Sequence, residues 1–224
     1  MRAGQQKGPS GKMRLAIIGT GNVAETLTRG LIQAHHTVVL GSRDPRDAPP
    51  WAAQLAAPVR IQTPTQAAGG AELVINATPG AVSLEAFAAI DSSALNGKVL
   101  IDVANAVVAR GEGLALVYPN GSLGEELQKA FPHVRVVKTL NTMSAGVMTD
   151  PGGLPAPSAI FLAGDDASAK KTVADLLGDL GWPADSRIDL GGIAAARASE
   201  HAFYLLGALF GALGTPRLNF AVIR

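Results

Sequence analysis

With 224 residues, 47% of them hydrophobic and 17% charged, the chain has material for one sizeable core, or for a main domain with a smaller annex. A formal net charge of +1 gives no electrostatic reason to expect nucleic acid or an anionic membrane as a partner. The absence of cysteine excludes disulfides, thiolate catalysis, iron–sulfur clusters and thiolate zinc sites.

Residues 1–12 are polar, rich in Gly, Gln and Lys, and lack the apolar centre of a signal peptide. They are expected to form a disordered tail, with Met13 as an alternative start and the protein in the cytoplasm. Short apolar runs follow at 14–18, 37–40, 73–77, 99–103, 134–140 and 159–163, and each predicts a strand. Most are continuously apolar rather than alternating, as strands covered on both faces require, and a 4% aromatic content suits a parallel sheet under small-residue helices. Between the first two strands, Val23, Leu27 and Leu31 recur at four-residue spacing and share one helix face. Further helices are predicted at 51–57, 84–90, 123–131, 167–180 and 193–213, with Asp165 or Asp166 capping the fourth of these. Strand–helix alternation predicts an α/β fold: a Rossmann-type, doubly wound, mostly parallel sheet with a small C-terminal α/β annex. The proline and glycine cluster at 151–157 marks the expected seam between a large N-terminal domain, 13–150, and a small C-terminal one, 151–224. The apolar stretch 202–213 is too short to span a bilayer, so it should pack in the core or against a second subunit, predicting a homodimer and no membrane partner.

The segment RLAIIGTGNVA, residues 14–24, is the most informative. Gly19, Gly21 and Ala24 form a G-x-G-x-x-A fingerprint directly after a strand and at the start of a helix. Gly19 permits the tight turn, Gly21 lets the backbone approach a pyrophosphate, and Ala24 lets helix pack closely on strand. The pyrophosphate then faces the free N–H groups at the helix start. At the end of the second strand an NAD enzyme carries an acid for the ribose hydroxyls, whereas this chain has Gly41-Ser42-Arg43 with Arg46 shortly after. Asp44 lies one or two positions too late for that role. An arginine fork and a serine hydroxyl suit a 2′-phosphate, so the pattern predicts NADP(H); the alternative is that Arg43 and Arg46 are solvated loop charges.

Ligands in such sheets bind beyond the carboxyl ends of the strands, which singles out Thr78-Pro79-Gly80, Ala104-Asn105 and Asn141-Thr142-Met143. Each set also fits plain turn chemistry. Lys138 is expected to snorkel from its strand, and Arg197, Glu200 and His201 to form a polar stripe or an interface pair rather than an acid–base site. A tyrosine-dependent short-chain dehydrogenase is excluded, because Tyr204 is followed four residues on by Ala208 and Tyr118 by Ser122. Long hydroxyacid and imine reductases need a large helical second domain, and only about 70 residues follow the seam.

Across these motifs the chain resembles the coenzyme F420-dependent NADP oxidoreductase family. The resemblance rests on IIGTGNVAETL, VVLGSRDP, INATPG, LIDVANAV, VVKTLNTMSAGVMTDP, FLAGDDASAKKTVADLLGDLGW and LGTPRLNFAVIR, in order from Met13 onward. It implies reversible hydride transfer between C4 of the nicotinamide of NADPH and C5 of a stacked 8-hydroxy-5-deazaflavin, with no protein nucleophile and no metal. By the same resemblance Thr20, Gly21, Asn22 and Val23 hold the pyrophosphate, and Ser42, Arg43 and Arg46 the 2′-phosphate. Thr78 and Pro79 line the nicotinamide side, while Asn141, Thr142, Met143 and residues 214–220 face the deazaflavin. Asn141 is the candidate stabiliser of charge developing on the acceptor ring. This sequence departs from the family at His35, where a helix-ending glycine is usual, at Asn141, where some members carry histidine, and at Gly80, which replaces a bulky residue. Two other functions are compatible with these residues: an NADPH-dependent reductase of a flavin or other small molecule, and an NADP(H) sensor without turnover.

Overall fold

The computed structural model describes residues 11–55, 57–111 and 113–223; nearly all of the expected tail lies outside them. β1 (Arg14–Ile18), α1 (Asn22–Gln33) and β2 (Thr37–Gly41) follow the sequence reading closely. Next come β3 (Arg60–Gln62), α2 (Pro64–Gly70), β4 (Leu73–Asn76), α3 (Ser83–Ala88), α4 (Ser92–Leu95) and β5 (Val99–Asp102). A hairpin of β6 (Val107–Arg110) and β7 (Gly113–Leu116) leads to α5 (Leu123–Ala130), β8 (Arg135–Lys138) and α6 (Ala145–Met148). The chain ends in β9 (Ile160–Leu162), α7 (Ala167–Asp179), β10 (Arg187–Asp189) and α8 (Ala196–Leu213).

Six strands form one parallel sheet in the order β3-β2-β1-β4-β5-β8. Sequence order reverses direction between β1 and β4, so the carboxyl ends of those two strands flank the crevice where such sheets bind ligands. β9 and β10 make a separate parallel pair, joined to the main sheet where Lys138 and Ala163 exchange backbone hydrogen bonds of 2.8 and 3.1 Å. Strand residues alternate between two cores. Leu15, Ile17, Leu73, Ile75, Ile101 and Val137 pack under α1, α6 and α7, in a cluster that also holds Ile160, Leu176 and Trp182. Ala16, Ile18, Val74, Leu100 and Val136 pack under α2, α3, α5 and the start of α8. Burial on both faces is why these strands read as unbroken apolar runs.

Some elements differ from the sequence reading. The helix expected at 51–57 is a short 3-10 helix, Pro50–Gln54, which ends where Leu55 adopts extended backbone, ψ 145°. β3 and α2 escaped notice since Ile61 is β3's sole aliphatic residue and α2 is mostly Ala, Gly and Thr. Their sequence did carry a signal: Thr63 and Gln66 form a reciprocal capping box, with Pro64 at the first helical position. Only Ala196, Ser199, Glu200 and Leu206 of α8 are buried, so its second half is not the core helix its composition allowed.

Candidate functional site

The phosphate-facing end is built by the β1–α1 turn. Gly19 has φ +125°, and a Cβ there would collide with the Ala77 carbonyl, so only glycine fits. Gly21 caps α1 without any side-chain hydrogen bond, and nothing lies within 4 Å of where its Cβ would stand. The first N–H groups of α1 therefore face an open front, with Thr20 partly buried and Asn22 exposed beside it. Trp51, which the sequence reading did not single out, donates its indole N–H to the Thr20 carbonyl at 3.1 Å and braces this turn.

Ser42, Arg43 and Arg46 lie together beyond the end of β2. Ser42 donates its backbone N–H to the Gln62 carbonyl at 2.9 Å and its hydroxyl to the Asp44 carbonyl at 3.0 Å. Arg46 forks onto Asp44 at 3.0 and 3.1 Å, which holds the Asp44 carboxyl below its ordinary value and raises Arg46. Arg43 is exposed and has no ion pair or hydrogen bond among the described residues. Of the two arginines, Arg43 is thus the uncommitted one.

At the carboxyl ends of the central strands lies an open cavity of about 260 Å³. Asn22 and Val23 of α1 form one wall, Thr78, Pro79 and Gly80 a second, and Val103, Ala104 and Asn105 a third. Asn141, Met143, Ala145 and Met148 close it. Asn105 donates its amide to the Asn141 carbonyl at 2.8 Å, and Asn141 donates back to the Asn105 side chain at 3.0 Å, so one amide pair joins the ends of β5 and β8. Leu140 stands at φ +63°, a strained conformation for a branched residue, just before Asn141. Gly80 is required by its neighbour, since a Cβ there would run into the Asn105 backbone. Thr142 is buried and does not line the cavity, nor do Ser42, Arg43 and Arg46. Residues 214–220 lie elsewhere: Arg217 reaches Asp150 at 2.8 Å, Asn219 bonds Ser158 and Ala159 at 3.0 and 2.9 Å, and the Phe220 carbonyl accepts from Ala159. A second open cavity, about 290 Å³, is lined by the prolines of 151–157 with Ser158 and Ser186 and offers no charged group.

Behind the first cavity runs a buried polar row that the sequence reading missed. Asn76, Asp102 and Lys138 are the last residues of β4, β5 and β8 and are register partners across the sheet. Lys138 does not snorkel: its side chain has no exposed surface, and Nζ lies 2.9 Å from both Asp102 and Glu200. Glu200 is likewise no part of an exposed stripe, because its carboxylate accepts from the Leu123 and Gly124 N–H groups at 2.8 and 3.1 Å and so caps α5. Arg197 pairs instead with Glu125, and His201 is exposed. Burial raises the Asp102 carboxyl, opposed by Lys138 and reinforced by Glu200. Burial opposes charge on Lys138 too, but the two carboxylates outweigh it and hold the ammonium above its usual value. The signal available in the sequence was one polar residue closing each of three apolar strands, in INATPG, LIDVAN and VVKTLN. Among the described residues no group of three His, Asp or Glu side chains is placed to hold a metal ion, and no helix is long and apolar enough to cross a membrane.

Residues 14–106, which contain the whole phosphate turn and two of the cavity's strand-end loops, match the family model for NADP oxidoreductase, coenzyme F420-dependent. A protein from Arthrobacter sp. FB24, provisionally described as an F420-dependent NADP reductase, is 42% identical in sequence and superposes with a TM-score of 0.89, covering 95% of this chain and 100% of that one. The chain belongs to the coenzyme F420-dependent NADP oxidoreductase family. Membership places it among NADP-dependent oxidoreductases on a Rossmann-type fold. Family likeness extends to rat metalloreductase STEAP3, 28% identical over 86% of this chain; the chain spans only 36% of that protein's length. A reductive aminase from Aspergillus terreus, solved with NADPH, shares the fold at a TM-score of 0.65 and 20% identity, over 91% of this chain and 63% of its own.

Proposed function

We propose that this oxidoreductase transfers hydride between NADP(H) and a deazaflavin of the coenzyme F420 type. The observation that carries the reading is one continuous surface from the glycine turn to the cavity: Asn22 and Val23 belong both to the opened start of α1 and to the cavity wall. The residues fit the nucleotide. Gly21 leaves room for a pyrophosphate, the first N–H groups of α1 face it, and Arg43, just beyond the end of β2 with Ser42 beside it, supplies an exposed cation for a ribose 2′-phosphate. Thr78, Pro79 and Ala104 then border the ring end. Bound NADP(H) supplies the transferable hydride at its nicotinamide C4. The chain's own work is to orient two flat rings, and the small and amide side chains around the cavity suit that task. In this reading Asn141, whose amide already donates once to Asn105, gives its second amide hydrogen to charge developing on the acceptor.

The acceptor is tested by anaerobic mixing of protein, NADPH and oxidised coenzyme F420. Loss of the deazaflavin absorbance that requires protein and is far weaker with NADH is expected. Bound NADPH without bleaching sinks the acceptor assignment. A second reading, reduction of a flavin or another small acceptor, draws on the likeness to the metalloreductases, and the same assay run with flavin and with a ferric chelate separates it. We also infer a homodimer through the second half of α8 and a cytoplasmic location. Tyr204, Leu205 and Leu213 there are 49, 54 and 61% exposed, more apolar surface than a solitary helix end should show to water. A monomeric mass in light scattering at micromolar concentration sinks the dimer.

A further inference from the structure

The buried row behind the cavity takes no direct part in the proposed transfer, yet it holds three charges out of water. Two carboxylates surround one ammonium, and the three side chains are 0–2% exposed. Removing such charges from water is costly, and apolar groups of equal volume would fill the space without that cost. What the charges hold is therefore informative. Lys138 Nζ donates to the Ala104 carbonyl as well as to Asp102. Asp102 Oδ1 accepts from the Ala104 N–H at 3.2 Å and from the Asn76 amide at 2.9 Å. Asn76 Oδ1 in turn accepts from the Thr78 N–H at 3.1 Å and the Thr78 hydroxyl at 2.7 Å. One ion pair thus grips Ala104 at both its N–H and its carbonyl, and reaches Thr78 through one intermediate. Ala104 and Thr78 line the cavity; Asp102, Lys138 and Glu200 do not.

We propose that Lys138, clamped between Asp102 and Glu200, is a positioning residue that sets the spacing of the two strand-end loops, 76–80 and 102–105, where the nicotinamide ring is held. Glu200 ties that spacing to the start of α5 and to the buried end of α8. The inference rests on the NADP(H) reading above and concerns the ring end only. Among the described residues the phosphate end shares no side-chain hydrogen bond with the row, so affinity and ring order should come apart when the row is altered.

Lys138→Met alone leaves two buried carboxylates facing each other and threatens folding, so the informative variant neutralises all three charges: Asp102→Asn, Lys138→Met and Glu200→Gln. NADPH is titrated into wild type and variant, reading affinity, the fluorescence gained by the nicotinamide on binding, and thermal stability. A dissociation constant within about threefold of wild type is expected, with the fluorescence gain at least halved and kcat with coenzyme F420 down about tenfold to a hundredfold, as a misplacement near 1 Å produces. If the triple variant does not fold, Glu200→Gln is measured in its place and should show a smaller loss in the same two readouts. Wild-type fluorescence gain in whichever variant folds overturns the proposal. So does a loss of affinity that merely tracks a loss of thermal stability, since that is the mark of fold support alone. A wild-type protein that binds no NADPH sinks the cofactor reading instead, and the two failures are distinct.

Discussion

At the scale of single residues, the backbone decides more than the side chains. Gly80 is forced by the Asn105 backbone, so the two cavity loops touch because this position carries no Cβ. Gly80→Ala should cost about 1–3 kcal/mol in denaturant unfolding, as other overpacked sites do, and should lower turnover with it. His35 is the opposite case. It sits at φ +67° just after α1, on the surface, where glycine would be at ease. His35→Gly is expected to raise stability by up to about 1 kcal/mol, the relief of left-handed strain exceeding the entropy given to the unfolded chain. Its neighbour His36 is fixed: Nδ1 accepts from the Met13 N–H at 3.2 Å, so the other ring nitrogen carries the proton toward Asp179. For the nucleotide, Arg43→Ala should weaken NADPH binding about tenfold or more and leave NADH nearly unchanged, the loss of one charge-assisted contact. Arg46→Ala should do less, because its guanidinium is already spent on Asp44. Equal effects in parallel titrations would show that both arginines face the phosphate.

At the scale of elements, α5 and α8 are joined by two devices, one buried and one near the surface. Glu200 caps α5 from a buried position, while Arg197 meets Glu125 near the surface at 2.6–2.9 Å. Arg197 first, then Ser122, holds the Glu125 carboxyl below its ordinary 4.5. A carboxyl lowered on folding stabilises the protein above its unfolded value and loses that contribution as pH falls through the folded one. Arg197 is more than half exposed, so solvent screening keeps the gain small. Arg197→Ala should therefore lower stability slightly near neutral pH, with the difference vanishing in acid. A difference that grows below pH 4.5 would mean that the pair is not its source. The capping box of α2 tells the same story of local control: Thr63→Ala should cost about 1 kcal/mol by thermal melting.

At the scale of the whole molecule, the C-terminal elements are bound into the main core by Trp182, which is fully buried and donates its indole N–H to the Met148 carbonyl at 3.0 Å. Trp182→Ala should cost about 3–5 kcal/mol by equilibrium unfolding. A smaller loss would show that α7 and β9 stand on their own. Most of the architecture was legible in the chain, since strands buried on both faces must be continuously apolar, and IIGTGNVA can only turn as it does with Gly19 at positive φ. So were the strand-end loops, because a parallel sheet brings its carboxyl ends together wherever its strands lie. β3 and the β6–β7 hairpin were not legible, being short and little buried, with no periodicity to announce them. Lys138 and Glu200 were misread for a different reason. Sixty-two positions apart, each is an ordinary surface residue by type. Local sequence thus determined the fold class, the glycine turn and the polar residues at the strand ends, because those depend on neighbours along the chain. Only tertiary structure decided that Asp102, Lys138 and Glu200 share one buried site, because burying a charge depends on which distant groups arrive to compensate it.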